Sequence, residues 1–177
     1  MTPCFFGYGS LVNRATHDYP AATPARLHGW RRTWVRTDIR DVVFLSVRPD
    51  PTATIDGLVA QVPGADWTAL DLRESGYDRV DATHAVSVPA PSVAVYQVPE
   101  TMQRRGGQHS ILLSYLDVVV QGFLREFGQK GVEAFFETTE GWDTPVQDDR
   151  GAPRYSRTQR LTAKERALVD RLLAQVQ

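Results

Sequence analysis

The hydrophobic rhythm of the chain changes about two-thirds of the way along. Cys4-Phe5-Phe6-Gly7-Tyr8 is an apolar run that stops at Gly9, the pattern of a buried strand entering a turn. From Arg26 to Arg36 apolar and polar positions alternate, with Leu27, Trp34 and Val35 among the apolar ones. Val42 to Val47 and Leu58 to Val62 are β-rich runs bounded by proline and glycine, and Ala82 to Val88 and Val93 to Val98 continue the pattern. Strands this short, joined by turns, predict a mixed, mainly antiparallel sheet curling into a small barrel.

Helical spacing dominates the later part. Leu116, Val119, Val120, Phe123, Leu124 and Phe127 form one apolar stripe, Ser114 with Asp117 has the form of a capping box, and Gly128 suits the end of that helix. A short helix is expected around Val132 to Glu137. Thr162 with Glu165 is a second capping box, opening a terminal helix through Leu168, Leu172 and Leu173. Thr138 to Arg160, rich in Gly, Pro and Asp, reads as a long ordered loop. The expected architecture is α+β: one domain over residues 1–177, a small barrel with flanking helices, and a loop and helix from about residue 138.

Composition narrows the function. A chain of 177 residues with 42% hydrophobic and 23% charged residues can bury a substantial core. Its net charge of -1 supplies no general attraction to nucleic acid or to an anionic membrane. Cys4 is the single cysteine, which leaves no intrachain disulfide and no cysteine-based zinc site. The opening Met-Thr-Pro-Cys-Phe-Phe lacks the basic and apolar regions of a signal peptide, and no apolar run reaches the ~18 residues of a spanning helix. A cytoplasmic protein is expected.

Two stretches carry candidate chemistry. In Gly7-Tyr8-Gly9-Ser10-Leu11 two glycines flank a tyrosine directly after a strand, leaving backbone free to approach a ligand and to aim amides at a carboxylate or an oxyanion. A plain strand-to-turn junction would look the same. The third glycine of a dinucleotide loop is missing, and no glycine stands two residues beyond Ser10 as a nucleophile elbow requires. In Asp66 to Glu74, helical spacing puts Trp67, Leu70 and Glu74 on one face, so Glu74 is expected to point inward against Trp67 and Leu70. An inward carboxylate is costly unless paired or functional, and burial raises its pKa toward values useful for proton transfer. The structural alternative is pairing with Arg73, Arg79 or another arginine, or a frayed helix end near Gly76 that lets Glu74 reach water.

Other residues invite plainer roles. His17, His28, His84 and His109 have no metal-ligand spacing, Cys4 suits a core, and Arg31, Arg32, Arg36 and Arg40 are expected on a solvated strand face. Arg104-Arg105-Gly106-Gly107 suggests a loop near a pocket mouth.

The order and separation of the two stretches resemble the γ-glutamylcyclotransferase-like superfamily, which includes ChaC-type enzymes. Tyr8-Gly9-Ser10-Leu11 matches the family's strand-end motif, and Leu70 to Tyr77 looks like its helix with a catalytic glutamate, here Glu74. Ser114-Tyr115, with Gly122 seven residues after the tyrosine, is similar to the helix that closes the family's pocket. The resemblance spans residues 5 to about 125. It implies a cofactor-free enzyme, without metal, that releases 5-oxoproline from a small γ-glutamyl amine or peptide, glutathione among the candidates. Glu74 would be the acid/base, and Tyr8, Gly9, Ser10, Leu11 and Tyr115 would bind substrate. Two other functions fit the same residues: a non-catalytic small-molecule binding module, and an acyl hydrolase or transferase using Ser10.

Overall fold

Two long strands form the backbone of the sheet in the computed structural model, which describes residues 1–177. In chain order the strands are β1 (Cys4–Gly7), β2 (Thr23–Thr37), β3 (Val43–Gln61), β4 (Asp78–Asp81), β5 (Val93–Gln97), β6 (Gln103–Arg104), β7 (Ile111–Leu112), β8 (Thr139–Glu140) and β9 (Val146–Gln147). The helices are α1 (Thr68–Arg73), α2 (Leu113–Glu137) and α3 (Ala163–Val176), with single 3-10 turns at Ser10–Val12, Arg14–Thr16, Pro63–Ala65 and Glu100–Met102. The main sheet runs β4-β5-β1-β3-β2-β6, with β8 added alongside β2. Within this sheet all pairs are antiparallel except β1 with β5 and β2 with β8, and β7 with β9 forms a separate parallel pair. The α+β architecture with a mainly antiparallel sheet is therefore as expected, and the curl is an open half-barrel with β4 and β6 at its ends.

Three expected elements differ. The runs at Val42 to Val47 and Leu58 to Val62 fall on the single strand β3 (Val43–Gln61), because Pro49 stays in the ladder and Pro51 lies in a bulge instead of ending it. Trp30 pairs with Pro49 and His28 with Thr54, so Gly29 faces the four residues Asp50 to Ala53, which bulge outward. The Asp50 carboxylate holds that bulge by accepting from the Thr52 amide and hydroxyl. Ala82 to Val88 is a turn, and the strand lies just before it, in β4. Asp81 accepts from the amide and hydroxyl of Thr83, and Thr83 in turn accepts from the Val93 amide, which bends the chain into β5. The segment Thr138 to Arg160 is ordered as expected and contributes the short strands β8 and β9.

Helix α2 is the central packing element. Leu116, Val119, Val120 and Phe123 are buried, and at ~1.5–3 kcal/mol for each buried side chain this stripe outweighs the helix's defects. One defect is Gly128, whose φ of 68° interrupts the helical path where the sequence places a helix end. The other is the N-terminus, where Leu112 offers no side-chain cap. Ser114 and Asp117 do not form a capping box. Asp149 instead reaches in from the loop and accepts from the Ser114 amide at 2.8 Å and its hydroxyl at 2.6 Å. Asp117 is drawn to Arg150, which binds it through two nitrogens at 2.6 and 2.8 Å. Thr162 and Glu165 do form the capping box that opens α3.

Candidate active site

The end of β1 is held from both sides. Asn13 donates to the Val118 carbonyl and the Gln121 side chain, tying the turn to α2. Gly122 lets the two meet, since a Cβ there would lie 2.7 Å from the Asn13 nitrogen. On the core side stands Arg32, with its residue surface fully covered. Its Nε donates to the Tyr8 carbonyl at 3.0 Å, and its other nitrogens donate to the Asp56 carbonyl and the Thr138 hydroxyl. The rings of Phe123 and Phe135 lie 4.9 and 5.1 Å from the guanidinium carbon. Burial pulls the Arg32 pKa down to about 9, so it remains a cation at neutral pH. The expected solvated arginine face is thus a mixed one. Arg32 shares the inward register of Trp30 and Trp34, Arg31 pairs with Asp50 at 2.7 Å, Arg36 is half-buried, and Arg40 is exposed.

A planar trans peptide points its N–H opposite its carbonyl. With the Tyr8 carbonyl fixed on Arg32, the Gly9 amide therefore faces away from it, and the amides of Ser10 and Leu11 follow at the start of a 3-10 turn, without intrahelical partners. Gly9 is required sterically, because a Cβ there would lie 2.7 Å from the Tyr115 hydroxyl and 3.2 Å from Leu45.

These residues line a narrow inner recess, about 300 Å³ when the open space at its mouth is included, together with Glu74, Tyr77, Tyr96 and Leu45. All six residues expected at the site (Tyr8, Gly9, Ser10, Leu11, Glu74 and Tyr115) meet there. Tyr8 and Tyr77 have committed hydroxyls, donating to the carbonyls of Tyr96 at 2.6 Å and Leu45 at 2.9 Å respectively. Burial raises the pKa of Tyr8, Tyr77 and Tyr115 above the phenol range, so all three stay neutral.

Glu74 caps the C-terminus of α1, with its side chain 16% exposed. Trp67 and Leu70 pack into a neighbouring apolar cluster with Phe5, Val62 and Tyr96, and neither lines the recess. The α1 helix ends at Arg73, so Glu74 turns off the expected face toward the tyrosines. Desolvation raises its pKa, opposed by the positive charges of Arg73 and Arg157 and by a hydrogen bond from Arg73. Arg73 Nε lies 3.2 Å from the carboxylate, and the same guanidinium donates to the Ser10 hydroxyl and to the Thr16 carbonyl and hydroxyl. One arginine thus links the carboxylate, the glycine turn and the next turn of chain.

Sixteen chains of known structure match this fold. They include an uncharacterized protein from Homo sapiens, at 16% identity over 94% of this chain and 97% of that one, with a TM-score of 0.59. A protein named gamma-glutamyl cyclotransferase aligns at 14% identity over 95% and 98% of the two chains, with a TM-score of 0.56. The chain has the γ-glutamylcyclotransferase-like fold. YkqA from Bacillus subtilis shares it at 17% identity and a TM-score of 0.56, with 79% of this chain covering 56% of that one. No protein-family model matches the chain, nor does any curated protein.

Around the recess of this γ-glutamylcyclotransferase-like fold lies an outer cleft of about 1660 Å³, including its open mouth. Ser10, Leu45, Glu74, Tyr77 and Tyr115 border both spaces. One wall is the 154–157 segment, carried by Asp149: its carboxylate accepts from the Arg154 amide at 2.9 Å, and Tyr155 stacks edge-on against Tyr115 at 5.0 Å. Burial works against the ionised Asp149, yet hydrogen bonds from Ser114 and Arg154 together hold its pKa below the ordinary carboxylate value. Arg104 pairs with Asp38, and neither Arg104 nor Arg105 borders the recess or the cleft. Cys4 is buried in the core as expected. No group of three or more His, Cys, Asp or Glu side chains is arranged to hold a metal ion, and no helix is long and apolar enough to cross a membrane.

The sequence offered Arg73 as an ion-pair partner of Glu74, which it is, but not its reach to Ser10 and Thr16, and sequence reasoning missed Arg32, and Tyr77, Tyr155 and Arg157 as walls. For Arg32 a signal existed: Trp30, Arg32 and Trp34 share one parity along a strand. For Tyr155 and Arg157 there was none, since they lie about 80 residues from Glu74 in a segment without periodicity.

Proposed function

We propose that this chain cyclises a small γ-glutamyl amine or peptide, releasing 5-oxoproline and a free amine, with Glu74 as the proton-transfer group. The observation that carries the reading is a carboxylate of raised pKa on the wall of a tyrosine-lined recess, shared with the amide-bearing turn Gly9–Leu11. The fold held in common with a gamma-glutamyl cyclotransferase supports it.

The chemistry follows from these groups. The substrate's α-ammonium pairs with the Glu74 carboxylate and gives it a proton. The freed amine attacks the γ-carbonyl of the same molecule, closing a five-membered lactam. Negative charge grows on the carbonyl oxygen, where the turn amides donate. Glu74 then returns its proton to the leaving nitrogen, the bond from that nitrogen to the γ-carbon breaks, and the ring nitrogen's second proton passes through the freed Glu74 carboxylate to the departing amine. Both reacting groups belong to one molecule, so orientation alone is worth on the order of 7–11 kcal/mol. None of these steps calls for a metal or an organic cofactor. Tyr8 shapes the recess with its ring, its hydroxyl being held by the backbone, and Tyr115 packs over Gly9. The same proposal sets the activity in the cytoplasm, whose reducing conditions suit a chain with one thiol.

The Arg73–Glu74 ion pair favours a second reading, a binding module in which Glu74 only pairs with an ammonium. Attack by Ser10 is disfavoured, because its hydroxyl accepts from Arg73, a group that cannot take up a proton. Incubation with a panel of γ-glutamyl amines and peptides, following 5-oxoproline, decides between them. Release that depends on Glu74 supports cyclisation, whereas binding of the panel without release leaves only the binding module.

A further inference from the structure

Glu74 follows a helix too short to hold it in place. Helix α1 has six residues, and Leu70 is its one buried side chain. A helix of that length is marginal by itself, so side-chain contacts must set where its end stands. Asp71 accepts from the Tyr96 hydroxyl at 2.6 Å and pairs with Arg79 at 3.1 Å, which ties α1 to β5 and β4. Arg73 reaches the other way, into the turns that follow β1.

All three nitrogens of Arg73 are engaged. Nη1 donates to the Thr16 carbonyl at 2.8 Å, and Nη2 donates to the Thr16 hydroxyl at 2.9 Å and the Ser10 hydroxyl at 3.2 Å. Nε is left for Glu74, 3.2 Å away. Thr16 is itself fixed, its hydroxyl shared between the carbonyls of Ser10 and Asn13 at 3.0 and 2.9 Å. Neighbouring side chains on a helix point apart. Arg73 and Glu74 meet because Glu74 leaves the helical path, with ψ at 31°. The Arg73 side chain is 7% exposed, so water has little access to the pair.

Two cations act on Glu74, and of these Arg73 bonds to it while Arg157 contributes charge alone. The remaining titratable groups around it are phenols: Tyr8 beyond β1, Tyr19 before β2, Tyr77 before β4, Tyr96 on β5 and Tyr115 on α2. Burial raises the pKa of each, so all five stay neutral as Glu74 titrates. His17, held at 2.9 Å from the Leu11 carbonyl, feels the Arg73 charge, and burial lowers its pKa.

We propose that Arg73 is a positioning residue: it holds the Glu74 carboxylate at a fixed distance from the Gly9–Leu11 amides and keeps it ionised until the substrate's ammonium arrives. This rests on the cyclisation reading and deepens it. Carboxylate and amides act on atoms of one substrate, so a misplacement of about 1 Å between them costs on the order of 10²-fold in rate. A single guanidinium bonded to both parts fixes that distance, and its planar fork does what a lysine ammonium cannot.

R73M and R73K separate the two parts of the role. Methionine removes fork and charge, whereas lysine keeps a charge on a flexible stem. Turnover is followed with the panel compound of highest kcat/KM, and the Glu74 carboxyl is titrated by carbon-13 NMR without substrate, E74Q identifying its resonance. In R73M kcat falls about 10²-fold with KM changed by less than about threefold, and the Glu74 midpoint moves to higher pH because the opposing charge is gone. In R73K kcat still falls by about tenfold or more, while the midpoint stays nearer the original than in R73M. An arginine that served only the fold would lower the melt and leave the midpoint unmoved, and that result overturns the inference. So does a loss confined to KM, or a kcat within about threefold of the original in either variant. If R73M does not fold, kcat in R73K decides by the same limits. The titration separates the inference from the reaction. If the unaltered protein cyclises no panel compound, cyclisation is overturned, and the midpoint alone decides: higher in R73M upholds the hold of Arg73 on the carboxylate, and unmoved overturns it.

Discussion

Arg32 and Glu74 stand on opposite sides of the same short turn, and both are charges withdrawn from water. Arg32 has a partner at each of its three nitrogens, the Tyr8 and Asp56 carbonyls and the Thr138 hydroxyl, and two phenyl rings beside it. Glu74 has one ionic partner and otherwise faces a recess walled by tyrosines, of which Tyr8 and Tyr77 turn their hydroxyls to the backbone and Tyr96 donates to Asp71. A buried charge held at every nitrogen fixes structure, because movement breaks a bond. A buried charge with capacity left over, beside an open space, is available to a ligand. The comparison predicts that substitution of Glu74 acts on chemistry and substitution of Arg32 acts on the fold.

The largest effect expected is on turnover by E74Q. The amide keeps the shape of the carboxylate but cannot accept a proton, so kcat falls by ~10²–10⁴-fold while stability changes by less than about 1 kcal/mol. Steady-state rates and a thermal melt of the same preparation check both halves. More than about a tenth of the original rate removes Glu74 from the chemistry.

R32M reverses the pattern. Methionine refills part of the volume but leaves the Tyr8 and Asp56 carbonyls and the Thr138 hydroxyl without their donor. A loss of roughly 3 kcal/mol or more, or about 10 °C in Tm for a chain of this size, is expected. A melt within about 2 °C of the unaltered protein would show that Arg32 is not the pin of this turn.

G9A asks how tightly the two sides are joined. Its Cβ meets the Tyr115 hydroxyl, and overpacking of this kind costs about 1–3 kcal/mol. Adding Y115F removes the obstructing oxygen and should recover part of that loss in the melt. An equal loss in G9A and in the double variant contradicts the steric account.

Smaller still is D149A, which takes the acceptor from Ser114 and Arg154 and should cost about 1–2 kcal/mol, as at other helix caps. The Asp149 pKa is lowered in the fold, so its contribution is present above the unfolded carboxylate value and fades as pH falls through the folded one. The D149A difference should therefore shrink in acid, as paired denaturation curves can measure.

The finest test is the acid limb of kcat/KM. A raised pKa means that the ionised, base-competent Glu74 is lost as pH falls, at a pH above the ordinary carboxylate range. Arg157 opposes that rise, so R157M should move the limb to higher pH. A limb unmoved in R157M and retained in the residual activity of E74Q belongs to another group.

The legible and illegible parts of the molecule divide along these same residues. Strands β1 and β5, the stripe of α2 and the capping box of α3 rest on periodicity and on contacts three or four residues apart, so they can be read from the chain. The junction Tyr8-Gly9-Ser10-Leu11 and the inward Glu74 were legible for the same reason, although the direction of Glu74 was not, because α1 ends one residue before it. Prolines misled where β3 bulges around Asp50 to Ala53, since a bulge depends on the partner strand. Ser114 and Asp117 misled because Asp149 and Arg150, more than thirty residues away, outcompete a local capping box.

By itself the sequence determined which segments are strands and helices in outline, that the chain is α+β, and where a carboxylate and a glycine turn stand along it. These follow from local sterics and from the spacing of apolar side chains. Only the tertiary structure decided that Arg32 is buried under the turn and that Arg73 clamps Glu74. It alone brought Tyr155 and Arg157 over the recess. Burial and pairing of charges are settled by which distant residues come within a few ångströms, and desolvation energies steep enough to shift a pKa arise only once those walls have closed.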